Sequence, residues 1–141
     1  MPVPNQMGGI HETRNSRGRR NRRFDWDCVI DTGESVTVVV RPDNLPNYPA
    51  NLALERPLGS ITGPATAIAQ LADAVDVLWI TTKTYQLQAA LDVVQSLPRC
   101  VLPLLNGVDH MEELTARFGE ERVVAGTIAV EAEKDSPGRF V

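Results

Sequence analysis

The sequence has little of what a secreted, membrane or metal-binding protein needs. Its two cysteines, Cys28 and Cys100, lie far apart, lack the paired spacing of a zinc site and are too few for a disulfide framework. No apolar run approaches the roughly 20 residues that span a bilayer, and the N-terminus has no hydrophobic segment of a signal peptide. We therefore expect a cytoplasmic protein with no metal site and no membrane partner.

The net charge of −4 combines two segments of opposite sign. Residues 1–23 contain six arginines and one acidic residue, whereas residues 24–141 contain eight basic and seventeen acidic residues. The arginines lie in RNSRGRRNRRFDW, residues 14–26. Such an arm can bind the phosphates of RNA or DNA, with Phe24 and Trp26 as stacking residues. The acidic remainder argues against a nucleic-acid surface on the main domain, so nucleic-acid binding by this arm is kept only as an alternative function.

From residue 33 onward, apolar runs of strand length alternate with amphipathic segments. Strands are predicted for VTVVV (36–40), VDVLWIT (75–81), CVLPLLNGV (100–108) and ERVVAGTIAV (121–130). Helices are predicted for ATAIAQLADA (65–74), TYQLQAALDVVQSL (84–97) and MEELTARF (111–118), the last with Asp109 as its N-cap. Four prolines between residues 46 and 64 disfavour a helix there and favour short extended pieces at 52–54 and 58–62.

This alternation predicts an α/β fold, a Rossmann-like parallel sheet with helices on both faces. Strands that are apolar on both sides are typical of such sheets. Right-handed crossovers place the carboxyl ends of the strands along one edge, where ligands bind in open α/β sheets. The residues expected at this edge are Arg41, Lys83, Asn106 and Thr127.

The chemistry of these side chains suits a dinucleotide, although each also has an ordinary structural explanation. An arginine after the second strand can pair with the 2′-phosphate of NADP, or it can be a solvated turn residue. The ammonium of Lys83 can reach a phosphate, a ribose or a carbonyl oxygen, or it can simply lie on the surface. The Asn106 amide both donates and accepts hydrogen bonds, or the residue serves only as a turn former before Gly107.

The order of motifs VTVVVRP, VDVLWITTKTYQ, VLPLLNGVDHMEEL and FGEERVVAGT resembles the N-terminal NADP-binding domain of the ketopantoate reductase (2-dehydropantoate 2-reductase) family. The resemblance covers roughly residues 33–141. It implies NADP as the cofactor and ketopantoate as the small-molecule substrate. In that family NADPH reduces ketopantoate to pantoate, a precursor of pantothenate and coenzyme A.

The resemblance also implies roles for individual residues. Arg41 matches the arginine that selects the 2′-phosphate, and Lys83 and Gln86 match a lysine and a glutamine near the cofactor. Asn106 matches an asparagine that contacts both nicotinamide and substrate, and Ala132 matches a backbone position that lines the cofactor. Tyr85 is assigned to packing, and no residue of this chain is assigned as catalytic.

The family's proton-donating lysine lies in a helical C-terminal substrate domain that has no counterpart in this sequence. General-acid assistance contributes about 10²- to 10⁴-fold to such reactions. We therefore expect no reductase activity from this polypeptide alone. Another NADP-dependent dehydrogenase with the same architecture remains an alternative, because these sheets support many chemistries.

Residues 1–32 depart from the family pattern. The family begins with a strand and a Gly-x-Gly-x-x-Gly loop that approaches the pyrophosphate, and this segment has the right length but no such loop. A shifted reading frame would explain the arginines, because permitted codons for residues 17–23 give Gly-Ala-Gly-Ala-Ile-Gly-Gly in another frame. We expect residues 1–32 to be disordered or frameshifted and to form no native first strand. Translating the nucleotide sequence in all three frames checks this: without a strand and a glycine loop upstream of residue 33, the hypothesis fails.

Overall fold

The computed structural model describes residues 10–14, 34–56, 59–127 and 134–140. Its eight strands are β1 (Ile10–Arg14), β2 (Ser35–Val39), β3 (Asn51–Arg56), β4 (Gly59–Ile68), β5 (Val77–Ile80), β6 (Cys100–Pro103), β7 (Lys134–Ser136) and β8 (Arg139–Phe140). The α-helices are α1 (Leu87–Asp92) and α2 (His110–Phe118), and short 3₁₀ helices span Pro42–Asn47 and Thr84–Gln86. The strands form one sheet in the order β6-β5-β1-β2-β4-β3-β8-β7.

The four strands β2, β4, β5 and β6 of this sheet point in the same direction. Strand β2 is parallel to β4, and β5 is parallel to β6. Strand β1 lies between β2 and β5 and is antiparallel to both, so β2 and β5 also run the same way. The predicted α/β, Rossmann-like fold is therefore confirmed by a sheet that contains parallel strand pairs and by the helices that follow β5 and β6.

The core consists of two clusters of buried side chains. The first cluster contains Val39, Leu71, Val75, Leu78, Ile80, Leu87, Leu91, Val94, Val101, Leu105, Leu114 and Phe118. The second cluster contains Val36, Val38, Val40, Leu52 and Ala65. Because successive side chains of a strand point to opposite faces, β2 contributes to both clusters. Burial on both faces explains why its sequence is a continuous valine-rich run.

Both α-helices pack against the first cluster, and an arginine joins them. The Arg117 guanidinium of α2 donates hydrogen bonds to the carbonyl oxygens of Leu91 and Val94, at 2.8 and 3.0 Å. The last carbonyls of a helix have no partner within the helix, and cations near a helix C-terminus are favourable. Arg117 therefore closes the end of α1 and fixes α2 beside it.

Burial also affects two titratable groups. It raises the pKa of the Tyr48 phenol, which packs against the second cluster, and the pKa of the Cys100 thiol at the start of β6. The nucleophilic form of cysteine is the thiolate, so a raised pKa keeps Cys100 in its unreactive form.

Among the described residues no group of three or more histidine, cysteine, aspartate or glutamate side chains could hold a metal ion. No helix in the described ranges is long and apolar enough to cross a membrane.

The helix predicted for residues 65–74 is wrong. Ala65 to Ile68 continue β4 and pair in parallel with β2. Alanine favours helices, but the burial of β4 alternates along the strand, and Ala65 lies in the second cluster. Packing against the valines of β2 therefore outweighs the helix propensity of this segment.

Three other elements are shorter than predicted or differ in detail. The helix predicted for 84–97 consists of a 3₁₀ turn followed by the six residues of α1. The strand predicted for 121–130 is, in its described part, a single parallel bridge between Val123 and Val101. Helix α2 begins after Asp109 as predicted, but the Asp109 side chain makes no capping hydrogen bond.

The N-terminal segment contributes one element that the sequence did not predict. Ile10–Arg14 forms a strand in the centre of the sheet, paired with β2 on one side and β5 on the other. Its direction is opposite to that of its neighbours, so it fills the position without providing a parallel strand. Residues 1–9 and 15–33 lie outside the described residues, and the frame hypothesis and the role of the arginine-rich arm stay predictions.

Candidate functional site

The carboxyl ends of the four parallel strands meet at one edge of the sheet, and we call this the carboxyl edge. The ladders continue to the edge itself: the Val40 N–H donates to the Ile68 carbonyl and the Leu104 N–H donates to the Ile80 carbonyl, both at 2.8 Å. The segments that follow β2, β5 and β6 therefore begin at a well-defined border. In open α/β sheets this border is the usual place for a ligand.

Three predicted site residues lie along this edge in strand order. Lys83 follows β5 and Asn106 follows the neighbouring strand β6, while Arg41 follows β2 on the other side of β1. Adjacent strands are about 4.8 Å apart, so β2 and β5 are separated by roughly 10 Å. The arrangement is a row along the edge, which suits an extended ligand better than a compact one.

All three side chains in this row are exposed, and hydrogen bonds fix the backbone at two of them. The Arg41 carbonyl accepts from the Asn44 N–H at 2.9 Å, and the Lys83 carbonyl accepts from the Gln86 N–H at 2.8 Å. Each of these residues therefore starts a short 3₁₀ helix that turns the chain away from the edge. Asn106 is followed by Gly107 with φ +83°, a left-handed conformation that favours glycine.

Three buried polar atoms beside this row have no hydrogen-bond partner among the described residues. They are Oγ1 of Thr82, Oε1 of Gln86 and Nδ1 of His110. Thr82 is only 6% exposed and His110 only 4%. Buried polar groups in proteins are almost always hydrogen-bonded, so atoms of this kind call for a ligand or an ordered water.

Sequence reasoning selected Gln86 but missed Thr82 and His110. A signal for Thr82 exists in the sequence, because two threonines follow a fully apolar strand directly before Lys83. His110 gives no such signal, since its position at the start of an amphipathic helix is unremarkable. Its burial becomes visible only when α2 packs on the sheet.

The segment after Val123 lies against β6 through a close contact at Gly126. A Cβ atom built on Gly126 would lie 2.8 Å from Cδ1 of Leu102 and 3.2 Å from the Pro103 carbonyl oxygen. Only glycine allows this approach without a shift of the neighbours. Beside it lies a cavity of about 230 Å³, lined by Trp79, Leu102, Leu104, Val124, Ala125, Gly126 and Thr127. The predicted edge residue Thr127 thus lines a mostly apolar space next to the row.

A second depression, of about 290 Å³, lies at the opposite edge of the sheet, and none of the predicted site residues lines it. It is lined by Leu97, Pro98, Arg99, Glu121 and Arg122. In it Arg99 pairs with Asp76 at 3.3 Å and Arg122 pairs with Glu121. The carboxyl edge is the better candidate because open α/β sheets bind their ligands outside the carboxyl ends of the strands, although the opposite depression is the larger of the two.

Two further predictions concern residues beside the row. The packing role predicted for Tyr85 is wrong, because this side chain is 82% exposed in the 3₁₀ helix after Lys83. In that turn Leu87 takes the buried position, and Tyr85 points away from the core. Ala132 lies outside the described residues, so its place beside a cofactor stays a prediction.

Comparison with known proteins supplies the chemical context of this edge. The model of the family described as ketopantoate reductase PanE/ApbA matches residues 30–141, which include every predicted site residue. A protein from Bacillus subtilis (strain 168), described as the uncharacterized oxidoreductase YkpB, is 27% identical over 117 residues. The match covers 79% of this chain but only 39% of that relative, so the chain spans well under half of the relative's length.

Proposed function

The chain belongs to the ketopantoate reductase PanE/ApbA family, and from this premise we propose that it is the cofactor-binding part of an NADPH-dependent reductase of ketopantoate. The family assignment and the oxidoreductase relative support a nicotinamide cofactor. The choice of NADP, the substrate and a role in pantothenate biosynthesis are our proposals. Reduction of ketopantoate also needs a proton donor, and none of the described residues is assigned that role.

One observation carries the proposal: polar side chains of the predicted types follow three strands of the same direction at the same edge. Arg41, Lys83 and Asn106 are exposed there, in the order in which β2, β5 and β6 occur in the sheet. A chance surface would not be expected to place a cation, a second cation and an amide along the border where such folds bind dinucleotides.

The proposed roles follow from the chemistry of each group. Arg41 binds the 2′-phosphate, because its planar guanidinium matches phosphate geometry with two parallel hydrogen bonds. Lys83 neutralises charge near the ribose and the phosphates, and Gln86 accepts a hydrogen bond through its buried Oε1. Ala132 is proposed to line the cofactor through its backbone.

Asn106 is proposed to contact both the cofactor and the substrate. Its carboxamide can donate to a carbonyl oxygen and accept from a hydroxyl at the same time. The left-handed turn at Gly107 directs the chain from β6 into α2 and keeps Asn106 at the edge. When bound, the cofactor supplies the hydride, and the part of Asn106 is to orient the carbonyl that receives it.

The described residues fit such a cofactor on two structural points. Buried polar atoms without partners lie beside the row, where a polar ligand can satisfy them. Gly126, where a Cβ atom would require Leu102 to shift, keeps the neighbouring backbone close to β6. The row provides cations for phosphates and neutral groups for the nicotinamide end.

Binding of NADPH to the purified chain tests this function. We expect saturable binding in a titration that follows NADPH fluorescence, and an affinity about 10- to 100-fold lower for Lys83→Met, which keeps most of the length of the side chain but removes its charge. One lost charge-assisted hydrogen bond corresponds to about 1.5–3 kcal/mol. The matched control is Arg99→Met, which removes an exposed cation from the opposite edge and should leave the affinity unchanged. Absence of saturable binding, or equal losses in the two variants, would refute the proposed function.

A further inference from the structure

We propose that Thr82 and His110 are additional ligand-binding residues and that they hold the nicotinamide nucleoside half of the cofactor. The inference rests on the proposed function, which assigns no role to either residue. It begins from two buried polar atoms in the segments that follow β5 and β6. Oγ1 of Thr82 and Nδ1 of His110 are both inaccessible to solvent, and neither has a hydrogen-bond partner among the described residues.

The two residues lie in the segments that follow the adjacent strands β5 and β6. Thr82 directly precedes Lys83 in the segment after β5, and His110 starts α2 four residues after Asn106. His110 shares one face of α2 with Leu114 and Phe118, which belong to the first cluster. Because β5 and β6 are neighbours, these residues lie at the carboxyl end of the first cluster, next to the exposed lysine and asparagine.

The hydrogen-bonding capacity of these atoms indicates which half of a dinucleotide they bind. A hydroxyl donates and accepts, an imidazole nitrogen does one or the other, and the nearby Gln86 Oε1 only accepts. A phosphate needs donors and positive charge, which Arg41 offers beyond β1. A carboxamide or a ribose hydroxyl both donates and accepts, so the group matched by Thr82 and His110 is the uncharged nicotinamide nucleoside.

The alternative occupant of this position is an ordered water that only completes the fold. A water would form hydrogen bonds with the same atoms in the free chain, and it would do so whichever nucleotide is present. A ligand-binding role predicts instead that the hydroxyl is unsatisfied until the nucleotide binds. The two possibilities therefore differ in the stability of the free chain as well as in affinity.

Thr82→Val separates them, because valine has the shape of threonine without the hydroxyl. We expect affinities for NADPH and for reduced nicotinamide mononucleotide to fall about 3- to 10-fold, which is the loss of one hydrogen bond. Affinity for 2′,5′-ADP, which lacks the nicotinamide half, should stay within about twofold. The melting temperature of the free chain should rise by roughly 2–6 °C, because an unsatisfied buried hydroxyl has been removed.

Three further variants sharpen the experiment. Thr82→Ser retains a hydroxyl and should restore most of the NADPH affinity. Thr84→Val removes an exposed hydroxyl two residues later and should change neither affinity nor melting temperature. His110→Phe keeps a buried aromatic ring without its nitrogens and should reproduce the loss for the two nicotinamide ligands.

Several results would overturn the inference. Unchanged NADPH affinity in Thr82→Val, an equal loss for 2′,5′-ADP, or a lower melting temperature of the free variant would each show that the hydroxyl serves the fold. If the unmodified chain binds 2′,5′-ADP but not the nicotinamide nucleotide, the inference fails while phosphate recognition by the proposed function stands. If it binds neither NADPH nor its parts, the proposed function fails as well.

Discussion

Leu114→Ala is expected to lower the free energy of unfolding by about 2–5 kcal/mol, the range for a buried leucine truncated to alanine. Leu114 is fully buried in the middle of α2 and lies in the first cluster, to which β2, β5, β6 and both helices contribute. Truncation would remove contacts to several elements at once and leave a cavity between α2 and the sheet.

The size of this loss matters because single domains are stable by only about 5–15 kcal/mol. Urea unfolding followed by circular dichroism measures it, with Glu113→Ala as the control. Glu113 is the exposed neighbour on the same helix, and its replacement should change stability by less than about 0.5 kcal/mol. Leu114→Met, which nearly conserves volume, should cost less than about 1.5 kcal/mol. Equal midpoints for Leu114→Ala and Glu113→Ala would contradict the packing described for α2.

The second large effect concerns cofactor choice. Arg41→Ala is expected to weaken NADPH binding about 10- to 100-fold and to change NADH binding less than about twofold. The guanidinium follows β2 at the carboxyl edge, where the 2′-phosphate of NADP would lie under the proposed function. Charge-assisted bidentate contacts to phosphate are among the strongest hydrogen bonds in proteins, and NADH lacks this phosphate.

Titrations of the same variant with the two nucleotides measure this discrimination. Arg41→Lys keeps the charge but loses the planar fork, so an intermediate loss of roughly 3- to 10-fold is expected for NADPH. Because Arg41 is exposed, the discrimination should shrink as ionic strength rises. A similar loss for NADH and NADPH in Arg41→Ala would mean that this residue does not read the 2′-phosphate.

The sequence predicted the parallel strands well because their signal is strong and local. The runs at β2 and β5 are buried on both faces, and β6 is buried on one face and half-buried on the other, which leaves an unbroken apolar pattern in the sequence. The edge that these strands define was predictable for the same reason. Once the strands are known, the right-handed crossover connections between parallel strands place the residues that follow them at one border.

The remaining features depend on contacts that no local pattern encodes. The alanines of β4 resemble a helix until the valines of β2 are placed beside them. The reversed strand β1 carries a polar sequence, IHETR, which gives no sign of a central position in a sheet. His110 acquires its burial only from the docking of α2, so a buried polar site that includes it could not be read from the chain.

The position of β1 also determines how the molecule holds together as a cooperative unit. Among the described strands, β1 is the only one that bonds to both β2 and β5. Of the residues proposed to hold one ligand, Arg41 lies on one side of β1, and Lys83 and Asn106 lie on the other. Opening of this five-residue strand would divide the sheet into two subglobal folding units, one with Arg41 and one with Lys83 and Asn106. A ligand spanning the row would then act as a cross-link, so ligand binding and protection of the β1 amides from hydrogen exchange would be thermodynamically coupled.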